Sequence, residues 1–110
     1  MKIYYKTNKL EKQLSNASEI KRAFGVNAKK VSARLDDIQS SPTLSVLMQI
    51  PAANCHALSG DREGEWAVNI SPNHRLIFSI ANDPIPINDD GSVNTILVTE
   101  IQILGTTDYH

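Results

Sequence analysis

Trp66-Ala67-Val68-Asn69-Ile70-Ser71-Pro72-Asn73-His74-Arg75-Leu76-Ile77-Phe78-Ser79-Ile80 is the stretch that decides the fold. Trp66, Val68 and Ile70 alternate with Ala67 and Asn69, and Leu76, Phe78 and Ile80 alternate with Arg75, Ile77 and Ser79. A period of two sends successive side chains to opposite faces of a sheet, and Ser71-Pro72-Asn73 reads as the turn between two strands. Arg75 has the opposite parity to Leu76, Phe78 and Ile80, so it is expected to face away from that apolar set. A further apolar run, Ile96-Leu97-Val98-Thr99-Glu100-Ile101-Gln102-Ile103-Leu104, reads as a buried strand bounded by Gly105.

Upstream the pattern is helical. After a short strand at Lys2–Tyr5, Asn8 and Glu11 have the spacing of a capping box, with Leu10 and Leu14 on one helical face. Ser18 is expected to cap a second helix that stops at Gly25. Asn27 is expected to cap a longer one carrying Val31, Leu35 and Ile38, which Ser40-Ser41-Pro42 ends. Leu44, Leu47 and Met48 allow one more turn before Pro51. Helices first and strands later predict an α+β fold, with N-terminal helices packed on a small antiparallel meander. Residues 82–95 form a long acidic connection, of a length that is often functional or mobile.

The 110 residues suit one domain spanning 1–110, with 41% hydrophobic and 21% charged content. Such a chain can bury a core without disulfide or metal. No stretch approaches the length of a membrane span, and Met1–Lys6 lacks the apolar centre of a signal peptide. Cys55 is the sole cysteine, which excludes an intrachain disulfide and fits the cytoplasm.

The net charge of -1 conceals a division. Residues 1–34 carry nine Lys and Arg against Glu11 and Glu19, a net of +7. The remainder carries Arg62 and Arg75 against ten carboxylates, a net of -8. Such asymmetry points to a polyanion on the basic part and a basic partner on the acidic part, or to helices solvating one face with lysine.

The side chains able to do chemistry are few. Cys55 and His56 are neighbours on an expected short strand, Cys55-His56-Ala57-Leu58, so they point to opposite faces and do not form a thiol–imidazole pair. Zinc-ligand spacing is absent, and no metal or other cofactor is expected. Gly60 and Gly64 permit a tight turn that holds Arg62 on a hairpin. The sequence ends Asp108-Tyr109-His110, three side chains suited to proton transfer and phosphate contact. The candidate set is therefore His56, Arg62, Arg75, Asp108, Tyr109 and His110. Cleaving RNA without metal needs a base for the 2'-hydroxyl, an acid for the leaving 5'-oxygen and cations on the developing phosphorane charge. A pair of histidines with arginine meets that need. The same set would serve a phosphate-binding module without turnover.

Residues Cys55 to Trp66, then Asn73-His74-Arg75-Leu76-Ile77-Phe78, then Asp108-Tyr109-His110, resemble the HigB-type "killer protein" toxins of the RelE/ParE superfamily. The Leu44–Pro51 segment and Asn82-Asp83-Pro84-Ile85-Pro86 look similar too, so the resemblance spans nearly the whole chain. It implies the toxin of a type II toxin–antitoxin pair that cuts mRNA in the ribosomal A site, without metal, through a 2',3'-cyclic phosphate. It also implies a helix-turn-helix antitoxin of the HigA type, with operator DNA bound only through the complex. By position, His56, Arg62, Arg75, Asp108, Tyr109 and His110 match functional positions of that family. His110 or His56 would act as base and the other as acid. Arg62 and Arg75 would stabilise the scissile phosphate, Tyr109 would stack on or orient a base, and Asp108 would orient a histidine and set its tautomer. Two positions depart from the family pattern. Ser59 stands where a lysine is common, which removes one cation from the site. His74 stands where an aromatic is common; it is expected to replace that packing, with an added polar contact as the alternative. The other branch of the superfamily, ParE-like inhibitors of DNA gyrase, generally lacks such an acid/base set.

Overall fold

The computed structural model describes residues 1–108. The elements run β1 (Lys2–Tyr5), α1 (Asn8–Gln13), α2 (Ala17–Phe24), α3 (Ala28–Ser40), α4 (Leu44–Leu47), β2 (His56–Ala57), β3 (Glu65–Ser71), β4 (His74–Ile80) and β5 (Glu100–Asp108). The five strands form one sheet in the order β1-β5-β4-β3-β2. The expected α+β architecture is present, and β2 to β5 pair antiparallel. The sheet is not a pure meander, because β1 lies parallel to β5, with Ile3 opposite Ile101 and Tyr5 opposite Ile103. Ile3 and Tyr5 pack against the core from that position.

The helices cover one face. Val31, Leu35 and Ile38 of α3, Leu14, Ile20, and Leu44 and Leu47 of α4 pack on Trp66, Val68, Ile70, Leu76, Phe78, Ile101 and Ile103. Each large side chain removed from water in this way contributes about 1.5–3 kcal/mol. Arg34 fastens α3 to β3: its Nε donates to the Asn69 carbonyl at 2.8 Å, and its Nη1 pairs with Asp37 at 2.6 Å. One cation of the basic segment is thereby committed to structure. The end of α3 is closed by the Met1 ammonium, which donates to the carbonyls of Ile38, Gln39 and Ser41, so carbonyls left open by the last helical turn gain a cationic partner.

Several local expectations are corrected. The first two helices start upstream of the expected caps: Thr7 Oγ1 accepts from the Leu10 amide at 3.1 Å, and Asn16 Oδ1 from the Glu19 amide at 2.9 Å. Asn27 occupies the cap position of α3 without a capping bond, because a 3-10 turn over Gly25–Asn27 leads directly into the helix. β2 holds only His56–Ala57. β5 begins at Glu100, later than expected, because Thr95–Leu97 form a 3-10 turn that leaves Ile96 and Leu97 exposed. Nor does Gly105 end the strand. It sits at φ +147° where the register against β4 shifts, with Ile77 opposite Gly105 and Phe78 opposite Ile103. Glycine here permits a bulge that bends the strand and lets it continue to Asp108. The 82–95 connection closes on itself: Ile87 bridges Val93, and the Asn82 side chain accepts from the amides of Thr99 and Glu100.

Cys55 lies in the core, and burial pushes its thiol up to about 12. The unburied thiol titrates near 9.0. The folded pKa is raised, so the contribution is fully present below the unfolded value and is lost as pH rises from 9.0 towards the folded value. Relative to Cys55→Ala, the wild-type protein is expected to lose stability over that window in denaturant melts. At pH 8 its thiol should react with an alkylating reagent only as fast as the chain unfolds.

Candidate active site on the open face of the sheet

Strand register sorts the candidate residues onto two faces. His56 pairs with Ala67, Ala67 with Ile77, and Ile77 with Gly105. The next row is Asn69, Arg75 and Thr107. Cross-strand partners share a face, and these rows have the opposite parity to Trp66, Val68, Leu76 and Phe78. His56 and Arg75 therefore stand together on the face turned away from the helices. Ala67 and Ile77 are buried between them, outside the main core cluster.

His56 is oriented. Its Nδ1 lies 2.8 Å from the carbonyl oxygen of Asn54, and a carbonyl only accepts. The Nδ1–H tautomer follows, leaving Nε2 as the nitrogen with a lone pair. Asn54 holds that carbonyl from a left-handed conformation at φ +44°, which asparagine adopts more readily than most residues. Cys55, between them in sequence, points into the core as its parity requires.

Arg75 is half-buried, and its Nε donates to Asn69 Oδ1 at 3.2 Å. Asn69 thus ties Arg75 by its side chain and Arg34 by its carbonyl. Arg62 closes the 3-10 turn Gly60–Arg62 and pairs with Glu65 at 2.9 Å, its side chain 47% exposed. A surface pair of this kind is worth about 0–1 kcal/mol, so Arg62 can exchange a carboxylate for a phosphate at little cost. Arg62 and Glu65 line a cleft of about 200 Å³ with Lys6, Ile77, Leu104, Gly105 and Thr106. Lys6 lies outside the candidate set that the sequence offers. Its parity was the available signal: Lys2, Tyr4 and Lys6 alternate with Ile3 and Tyr5, and the Lys6 amide continues the ladder to the Ile103 carbonyl at 2.9 Å. Lys6 brings a second cation to the cleft that holds Arg62, on a chain where Ser59 supplies none.

Asp108 belongs to a different row. It pairs with His74, which pairs with Ser71, on the core-side parity at the hairpin end of the sheet. His74 Nε2 lies 2.8 Å from Asp108 Oδ1, and His74 Nδ1 lies 2.8 Å from Ser71 Oγ. The carboxylate requires an Nε2–H donor, so in the neutral ring Nδ1 accepts the Ser71 hydroxyl proton. Of the two roles open to His74, the preferred packing role gives way to the polar contact, because strand pairing sets its ring between two hydrogen-bonding side chains at a partly exposed edge. The histidine that Asp108 meets is His74. Tyr109 and His110 lie outside the described residues.

Against known proteins, no family model and no curated sequence matches. Solved structures do. The YoeB/ParE toxin from Agrobacterium tumefaciens aligns over 100% of both chains with a TM-score of 0.57 at 12% identity. YafQ from E. coli strain BL21(DE3) aligns over 96% of this chain and 90% of its own with a TM-score of 0.53 at 14% identity. The chain has the fold of these toxins. At such identity the likeness speaks for architecture, and the chemistry has to be read from the open face itself.

The orientation of His56 has a direct readout. Long-range nitrogen–proton correlation spectra above the imidazole pKa are expected to show His56 as the Nδ1–H tautomer, against the Nε2–H preference of a free histidine. An Nε2–H signal would mean that Asn54 does not hold the ring.

Proposed function

We propose that this protein is the toxin of a type II toxin–antitoxin pair, of the HigB type, and that it cleaves mRNA on the ribosome without a metal ion, working in the cytoplasm. The observation that carries the reading is the tethered His56, with its Nε2 lone pair free, on the same sheet face as Arg75 and beside the cleft of Lys6 and Arg62. Fold likeness to toxins adds support.

In the proposed reaction His56 Nε2 takes the proton of a 2'-hydroxyl. The resulting oxygen attacks the adjacent phosphorus, the bond to the 5'-oxygen breaks, and a 2',3'-cyclic phosphate forms. His110 is assigned the acid that protonates the leaving 5'-oxygen. Arg75, Arg62 and Lys6 offset the charge on the phosphoryl oxygens. Tyr109 is assigned to stacking on a nucleobase. Asp108 is assigned to holding His74 and the end of β5. The antitoxin would be a HigA-type helix-turn-helix protein through which operator DNA is bound, and the basic helical part would face ribosomal RNA, with affinity falling as salt rises.

Primer extension on translated mRNA tests this. Wild type should give discrete cuts. His56→Ala is expected to slow cutting by about 10²–10⁴-fold, and Arg75→Ala by about 10²–10³-fold, with melting temperatures close to wild type. Intact mRNA with wild-type protein, together with inhibition of gyrase supercoiling, would replace this reading with the ParE-like one.

A further inference from the structure

Among the described residues, eight large hydrophobic side chains are exposed, and six of them cluster on two adjoining segments: Val46 and Met48 at α4, and Ile85, Ile87, Ile96 and Leu97 in the connection before β5. The Leu44 amide joins the segments by donating to the Val98 carbonyl at 3.0 Å. Within the connection, the Asn94 amide donates to the Pro86 carbonyl at 2.9 Å and Ile87 bridges Val93, which brings Ile85 and Ile87 towards Ile96 and Leu97. A concentration of this kind on a small chain marks an interaction surface, whereas scattered single residues would not.

Charge decides what the surface accepts. Residues 76–110 contain no Lys or Arg, and neither do residues 35–61. Asp83, Asp89 and Asp90 stand exposed beside the apolar cluster. Asp90 accepts from the Ser92 amide and hydroxyl, which holds its carboxyl below the usual range. A nucleic acid or an anionic membrane would be repelled by these carboxylates. A second copy of this chain is poorly suited, because its basic segment exposes only Tyr4 and Val26 as large apolar groups.

We infer that the surface formed by α4 and residues 82–97 docks a cationic amphipathic segment of a separate polypeptide, with Val46, Met48, Ile85, Ile87, Ile96 and Leu97 taking its apolar stripe and Asp83, Asp89 and Asp90 pairing with its Lys or Arg. The inference stands apart from the nuclease reading. If the chain is a toxin, its antitoxin is the natural source of such a segment.

The probe is a pair of synthetic helical peptides, one of Leu and Lys and one of Leu and Glu with the same apolar spacing, titrated into the full chain by NMR. The Leu/Lys peptide should shift Val46, Met48, Ile87, Ile96 and Leu97, and the Leu/Glu peptide should not. Ile87→Lys combined with Leu97→Lys alters two exposed positions and should weaken binding by roughly tenfold or more. Asp89→Asn combined with Asp90→Asn should weaken it and flatten its salt dependence. Equal binding of both peptides, shifts that map elsewhere, or unchanged affinity in the Lys variant would overturn the inference. So would light scattering that shows a wild-type dimer converted to monomer by the same variant, since the surface would then be occupied by a second copy.

Discussion

The pairing of β5 on both of its edges is the constraint on which the rest depends. It joins the first strand to the last, buries Ile101 and Ile103, and fixes the parity of β4 and, through it, of β3 and β2. A slip of one residue would exchange every side chain between faces, sending Arg75 into the core and Leu76 out. The bulge at Gly105 is the point where this pairing is reset, and it forms part of the cleft that holds Lys6 and Arg62. The same local irregularity therefore serves both the sheet and the site.

With parity fixed, the sheet sorts its polar residues by role. On the open face, His56 and Arg75 are each held by a neighbour that is not itself reactive: the Asn54 carbonyl for one and the Asn69 amide for the other. At the hairpin end, Ser71, His74 and Asp108 form a hydrogen-bonded row across β3, β4 and β5. Farther along the chain, the exposed apolar residues and carboxylates of 82–97 offer a surface of opposite character. An RNA strand and a cationic peptide would thus be drawn to different parts of the chain by charge alone.

Most of the fold was legible because its signals are periodic. Alternation at Trp66–Ile80 and the face of Val31, Leu35 and Ile38 predicted the central hairpin and the longest helix. The misreadings have specific causes. Ile96 and Leu97 are as apolar as Ile101 and Ile103, and composition does not distinguish a strand from an exposed turn. Gly105 reads as a stop in sequence, because a bulge depends on the partner strand. Thr7 and Asn16 cap the first two helices, but Asn8 and Ser18, one or two positions away, are equally good capping types in sequence. In the candidate site, parity placed His56 and Arg75, whereas the His74–Asp108 pair required the long-range register of β4 with β5. Lys6 was hidden among nine cations of the basic segment, and only its pairing with Ile103 brings it beside Arg62.

The central claim is that the open face is where RNA is held. Titrating the protein with an RNA oligonucleotide made uncleavable by 2'-O-methyl groups, and following amide and imidazole shifts, tests it most directly. The expected result is a perturbation that includes Lys6, His56, Arg62, Asn69, Arg75 and Thr107, with Val46, Ile87 and Leu97 unmoved. Shifts confined to α2 and α3, or an open face that stays silent at saturating RNA, would contradict it.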